Sequence, residues 1–146
     1  MGYSEHQAQS QPLRVRCAVV TLSDTRTQQT DTSGQTIKRL LESAGHAVAD
    51  YRLIKDEPDD LRSALMDLLS RDDVDVILTN GGTGISPRDQ TVPVIERMID
   101  TPLPGFGELF RMLSYDEIAA GAMLSRAVAG IARGKPIFAM PGSTKA

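Results

Sequence analysis

The chain predicts an α/β fold built on a largely parallel sheet, and three observations predict it. Apolar runs of strand length alternate with helix-period segments in the order β-α-β-α-β. The run at residues 74–79 is apolar enough for a strand buried on both faces. Directly after it comes the densest glycine cluster, Gly81-Gly82-Thr83-Gly84, at the kind of strand end where open α/β sheets bind ligands.

Each element has its own signal. Residues 1–12 are polar and glutamine-rich, lack the apolar segment of a secretory leader, and read as a disordered tail. Residues 13–146 read as a single domain, a length that suits one core. The first strand covers residues 15–22, and a polar loop covers 23–33. A helix follows with Ile37, Leu40, Leu41 and Ala44 on one face, closed by Gly45. Residues 47–54 alternate loosely and predict a strand. Pro58 opens the next helix, because a first-turn proline gives up no hydrogen bond. Leu61, Leu65, Leu68 and Leu69 form its buried stripe.

Residues 93–99 predict a short helix with Ile95, Met98 and Ile99 inward. Pro102-Leu103-Pro104-Gly105 breaks the chain; residues 106–114 predict a helix, and a second short one begins near Asp116. For the stretch from 123 to 140 two readings stand. One is a pair of strands, 125–132 and 136–140, turning at Arg133-Gly134-Lys135. The other is a helix across 123–132, which its alanines favour. Pro141-Gly142-Ser143 has the form of a strand end feeding a helix, so a helix is expected beyond Ala146, either cut away or left out of the chain.

The balance of charge excludes some partners. Net charge is −3, with 40% hydrophobic and 24% charged residues, and no basic stripe suits nucleic acid or an anionic membrane. An anionic small ligand must then be held by local donors. Cys17 is the only cysteine, so no disulfide forms within the chain, and its apolar flanks predict a buried thiol. His6 and His46 lie far apart without a second ligand at helical spacing, which argues against zinc. No run approaches membrane-spanning length, and the expected location is the cytoplasm. Asp72, Asp73 and Asp75 read as a solvated turn and the six methionines as core filler.

The glycine loop is the main candidate site. Gly81, Gly82 and Gly84 permit positive φ and close approach, their N–H groups can form an anion nest, and Thr83 adds a hydroxyl. The competing reading is a tight turn without a ligand. Neither the P-loop ending nor the dinucleotide fingerprint is present. Arg88 suits a phosphate clamp and Asp89 a magnesium ligand, but a surface ion pair and a helix cap explain them equally well. Asp56 also falls at a strand end, either sharing a crevice and a divalent ion with Asp89 or complementing a helix dipole. The loop 23–33, with Asp24 and Asp31, reads as solvated. Ser125 suits phosphate binding but has no nearby histidine to make it a nucleophile. Gly142 and Ser143 form another candidate anion site.

Five segments together resemble the MoaB/Mog family of molybdenum cofactor biosynthesis proteins. They are Gly81–Gly84, Pro87-Arg88-Asp89, Pro104-Gly105-Phe106-Gly107-Glu108, residues 124–130 and Met140-Pro141-Gly142-Ser143. They occur in the family's order over residues 15–145, and the Phe110–Tyr115 stretch resembles the MoaB branch more than the Mog branch. The resemblance implies a three-layer α/β/α fold with a mostly parallel mixed sheet, and nucleotidyltransfer of AMP from Mg-ATP to the terminal phosphate of molybdopterin. It implies Asp56 and Asp89 as catalytic and Mg²⁺-binding residues. It also implies ligand contacts at Gly81, Gly82, Thr83, Gly84, Arg88 and Ser125, and at Pro141, Gly142 and Ser143. A homotrimer or homohexamer, contact through Phe106–Tyr115, and partnership with other molybdenum cofactor enzymes follow from the same resemblance. The alternative within the family is a molybdopterin-binding carrier without catalysis.

Overall fold

The computed structural model describes residues 12–144, with Gly2 and Ser4; the expected tail therefore lies mostly outside the described residues. Six strands form one mixed sheet in the order β2-β1-β3-β6-β5-β4. The strands are β1 (Arg16–Leu22), β2 (Ala47–Ile54), β3 (Val76–Asn80), β4 (Thr101–Pro102), β5 (Val128–Ala132) and β6 (Lys135–Met140). β1, β2, β3 and β6 run parallel, while β5 is antiparallel to both β6 and β4. The carboxyl ends of the four parallel strands therefore share one edge.

Period-two alternation sorts the sheet's side chains between two faces. Ala18, Val20 and Leu22 of β1, Ile77 of β3, and Ile137 and Ala139 of β6 point to one face. There they meet α2 (Pro58–Ser70) through Leu61, Leu65, Leu68 and Leu69, and α3 (Thr91–Met98) through Val94 and Ile95. Leu65, Leu68, Ile77, Ile95 and Ile137 are fully buried in this core. Truncating one of them to alanine costs about 2–5 kcal/mol by lost transfer and cavity formation. The other face carries α1 (Thr32–Ser43) and α4 (Pro104–Ile118). Phe106 of α4 meets Phe138 of β6 edge-on at 5.1 Å. Helices on both faces make the three layers that were expected.

Several expectations shift. α1 does not bury its apolar face: Leu40 is 56% exposed, and the buried residues of the helix are Ser33 and Gly34. Val92 and Val94 of α3 are buried more deeply than Met98 and Ile99. Pro102 lies in the short edge strand β4, where a proline costs no ladder bond on its open side. α4 runs without interruption through the expected break near Ser114, then passes into a 3-10 turn at Ala119–Leu124.

Of the two readings for 123–140, the hairpin is correct. Arg133 and Gly134 form a two-residue turn with φ of 49° and 78°, the left-handed pair that matches strand twist. Cys17 is buried, and burial together with Asp75 pushes its thiol pKa up. The methionines are not all core: Met66, Met112 and Met123 are exposed. Asp75 and Asp73 are ion-paired with Arg16 and Arg71 rather than merely solvated. No described helix is long and apolar enough to cross a membrane.

Candidate functional site

The loops leaving the parallel strands are stitched to one another by the backbone. Gly81 N–H donates to Met140 O at 2.9 Å, joining the end of β3 to β6. Ser23 N–H donates to Ile54 O at 2.9 Å, joining β1 to β2. Gly81 and Gly82 take φ of 100° and 70°. A Cβ at Gly81 would lie 2.3 Å from Leu22 O, and one at Gly82 would lie 2.2 Å from Thr91 Oγ1. Only glycine meets both demands at these two positions. The loop then folds back on the start of α3, where Thr91 donates its hydroxyl to Gly81 O at 2.9 Å and its N–H to Gly82 O at 3.2 Å.

This turn forms one wall of a cavity of about 390 Å³. Gly81, Gly82, Thr83, Gly84 and Asp89 line that wall, Pro141, Gly142 and Ser143 another, and Ser125 a third position. The remaining side comes from α4 and the 3-10 turn, with Phe110, Ser114, Ile118 and Leu124. The sequence reading placed Phe110 and Ser114 in a subunit contact over Phe106–Tyr115 and gave Ile118 and Gly121 no role; the available signal was the small and polar residues, Ser114 and Gly121, set among apolar ones. Ser125 Oγ is buried and has no hydrogen-bond partner among the described residues. Such an atom carries a desolvation cost unless something bonds it.

The two carboxylates sit on different loops, Asp56 after β2 and Asp89 after β3, and they face different surfaces. Asp89 lines the cavity, and its Oδ2 accepts the Ser86 N–H at 2.9 Å. Asp56 lies behind Gly82: its Oδ1 is 3.4 Å from the position of a Gly82 Cβ, and it lines a separate small void with Gln90 and Thr91. That Oδ1 is likewise buried and unpartnered among the described residues. Burial pushes the Asp56 pKa up; the negative charges of Asp24 and Asp89 add to the rise, and Arg88 opposes it.

Arg88 is turned away from the cavity. It donates to both Asp24 oxygens at 2.9 and 3.0 Å and to Glu57 at 2.9 Å. Its hydrogen bond holds the Asp24 carboxyl below the usual carboxylate range. Among the described residues, no group of three or more His, Cys, Asp or Glu is placed to hold a metal ion. A hard cation such as Mg²⁺ commonly needs only one or two carboxylates when phosphates complete its shell; Asp89 faces the cavity, whereas Asp56 faces the separate void behind Gly82.

The loop 23–33 is not merely solvated. Asp31 is fully buried, caps α1 through Gly34 N–H at 3.1 Å, and accepts the Tyr51 hydroxyl. Ser33 donates to Asn80 Oδ1 at 2.8 Å, and Asn80 donates to Thr21 at 2.9 Å. Arg26 donates to Ser33 at 2.6 Å and to Gly142 O at 2.8 Å, so the network reaches the cavity's late loop. Burial alone would raise the Asp31 pKa, but bonds from Tyr51, Thr21 and Gly34 together with the Arg26 charge outweigh it and leave the pKa low.

Residues 18–146 match the MoCF_biosynth family model, described as a probable molybdopterin binding domain. The chain is 48% identical to molybdenum cofactor biosynthesis protein B of Bacillus cereus, over 100% of this chain and 86% of that protein. A crystal structure of a molybdenum cofactor biosynthesis protein B superposes with a TM-score of 0.89 at 49% identity, covering 93% of this chain and 85% of the other. A solved structure of MogA superposes at 0.80 with 32% identity, covering 89% and 85%. The chain belongs to the MoCF_biosynth family.

Proposed function

We propose that this family member binds molybdopterin in the 390 Å³ cavity and transfers AMP to it from Mg-ATP. One observation carries the reading: three segments remote in sequence, at 81–89, 125 and 141–143, converge on one cavity whose Ser125 hydroxyl is buried without a partner among the described residues. The terminal phosphate oxygen of the pterin attacks the α-phosphorus of ATP. The bond from that phosphorus to the pyrophosphate oxygen breaks, and pyrophosphate leaves. A phosphate monoester is already a nucleophile, so no general base is required. That agrees with His46, whose Nδ1 accepts Val15 N–H at the amino end of β1, away from the cavity.

The Gly82–Gly84 backbone holds phosphate at the strand end, with Gly81 anchored to Met140 beneath it, and Ser125 orients the pterin phosphate. Asp89, with Asp56 from behind Gly82, would hold a divalent cation, which would offset charge on the triphosphate and the leaving group. Arg88 acts indirectly in this reading, by holding Asp24 and Glu57 away from the phosphates. Asp89→Asn should lower AMP transfer by about 10²–10⁴-fold. The assay incubates protein with molybdopterin and Mg-ATP and detects the adenylylated pterin. Wild-type turnover in the variant would remove the carboxylate role.

A second reading is favoured by Asp56 lying behind Gly82 rather than on the cavity wall. In it the protein binds molybdopterin in the same pathway as a carrier, without transfer. Calorimetry that finds pterin binding, with no adenylylated product when Mg-ATP is added, selects it. In either reading we place the protein in the cytoplasm as a homotrimer or homohexamer that passes the pterin to other molybdenum cofactor enzymes. The exposed Leu109, Met112, Leu113 and Tyr115 of α4 provide an apolar contact surface, which light scattering tests.

A further inference from the structure

We propose that Arg126, in the segment that enters β5, is a positioning residue that sets the shape of the glycine loop. The proposal rests on the reading that the loop grips phosphate. Arg126 Nε donates to Gly84 O at 2.9 Å, and its terminal nitrogen donates to Asp89 O at 3.1 Å. These two carbonyls are the two ends of the excursion 84–89. The excursion closes on itself through Asp89 N–H to Ser86 O and Ser86 N–H to Asp89 Oδ2, both at 2.9 Å. One planar guanidinium therefore pins both ends of a closed turn, a geometry that a lysine cannot reproduce with one ammonium.

Its place in the chain separates Arg126 from an ordinary structural arginine. It follows Ser125, whose orphaned hydroxyl lines the cavity. The same few atoms of backbone thus carry a cavity side chain and the clamp on the opposing loop. Arg111 offers a contrast: it too donates to two carbonyls, Ser125 O and Ala127 O at 3.2 Å each, but both lie on the β5 approach and not on the glycine loop.

The experiment compares Arg126→Lys with Arg111→Lys in the full chain, each checked for wild-type folding by circular dichroism. Without ligand, ¹H–¹⁵N spectra of Arg126→Lys should show displaced amides at Gly84, Ile85, Ser86 and Asp89, with Gly45 and Gly134 unmoved. Arg111→Lys should leave the loop amides in place. With Mg-ATP as probe, Arg126→Lys should bind about tenfold more weakly, and in Arg126→Ala added methylguanidinium should restore affinity. Unmoved loop amides in Arg126→Lys overturn the proposal, and so does wild-type affinity or failure of rescue. If wild type binds no Mg-ATP, the phosphate reading fails, and the ligand-free spectra alone decide the clamp. Should Arg126→Ala not fold, the lysine variant carries the test.

Discussion

Asp31 and Asp56 stand at the same edge of the sheet and are handled in opposite ways. Asp31 is the more deeply buried, yet it is bonded by Tyr51, Thr21 and Gly34 N–H, with Arg26 at 3.5 Å. Asp56 is only partly buried, yet one of its oxygens has no described partner, and its neighbours include two more carboxylates. Burial pulls both pKa values up, but hydrogen bonding reverses the shift at Asp31 and not at Asp56. The lesson is that burial does not mark a functional carboxylate; unsatisfied burial does. Asp31 belongs to the machinery that holds the loops together; in the proposed function, Asp56 belongs to what the loops are held together for.

Breaking the comparison at Asp56 should give the largest effect. Asp56→Asn should lower AMP transfer by about 10²–10⁴-fold. Urea unfolding at neutral pH should show its stability unchanged or slightly raised, because a buried charge has been removed. A marked loss of stability would place Asp56 with Asp31 instead. Asp31→Ala should cost about 3 kcal/mol, since the Tyr51 hydroxyl, the Gly34 N–H and the Arg26 charge lose their acceptor. Chemical denaturation measures it, and a cost below about 1 kcal/mol would contradict the network's role.

The pH dependence sharpens the same contrast. A carboxyl with a lowered folded pKa contributes stability above its unfolded value, about 3.9, and loses it as pH falls through the folded pKa. Asp31 behaves this way, so the penalty of Asp31→Ala should shrink in acid. Asp56, with a raised folded pKa, has the opposite sign: its ionisation opposes folding as pH rises past the unfolded value. Any stability gain of Asp56→Asn should therefore be present at neutral pH and vanish below about pH 4. Stability profiles of the two variants that move in the same direction would erase the distinction. The smallest effect belongs to Ser125→Ala, which removes an unbonded hydroxyl. Its stability should stay within about 0.5 kcal/mol of wild type while pterin affinity falls. Calorimetry with molybdopterin tests the second half.

Much of this edge was legible in the sequence because its signals are local. A strand followed directly by Gly81-Gly82 states both where the chain turns and that no side chain fits there. The order of strands and helices likewise placed Asp56, Asp89 and Ser143 at strand ends. What escaped depends on partners distant in sequence. Arg126 meets Gly84 and Asp89 from 42 and 37 residues away, and nothing local foretells it. Asp31 looked solvated because its bonds come from Tyr51 on another strand. The face of α1 shows a different limit: periodicity tells that Ile37, Leu40 and Leu41 share a side, not whether anything covers it. The cavity wall of α4 was read as subunit contact because apolar residues serve both purposes.

In the proposed site the glycine loop, Ser125 and the Pro141–Ser143 loop grip one phosphorylated ligand between them. Crystals soaked with molybdopterin and Mg-ATP test it most directly. The predicted result is a phosphorus atom within hydrogen-bonding reach of the Gly82–Gly84 backbone, with the Ser125 hydroxyl bonded to a phosphate oxygen. Ligand found only in the neighbouring groove beyond Ser125, beside Arg111 and Glu108, with the glycine loop untouched, would contradict it.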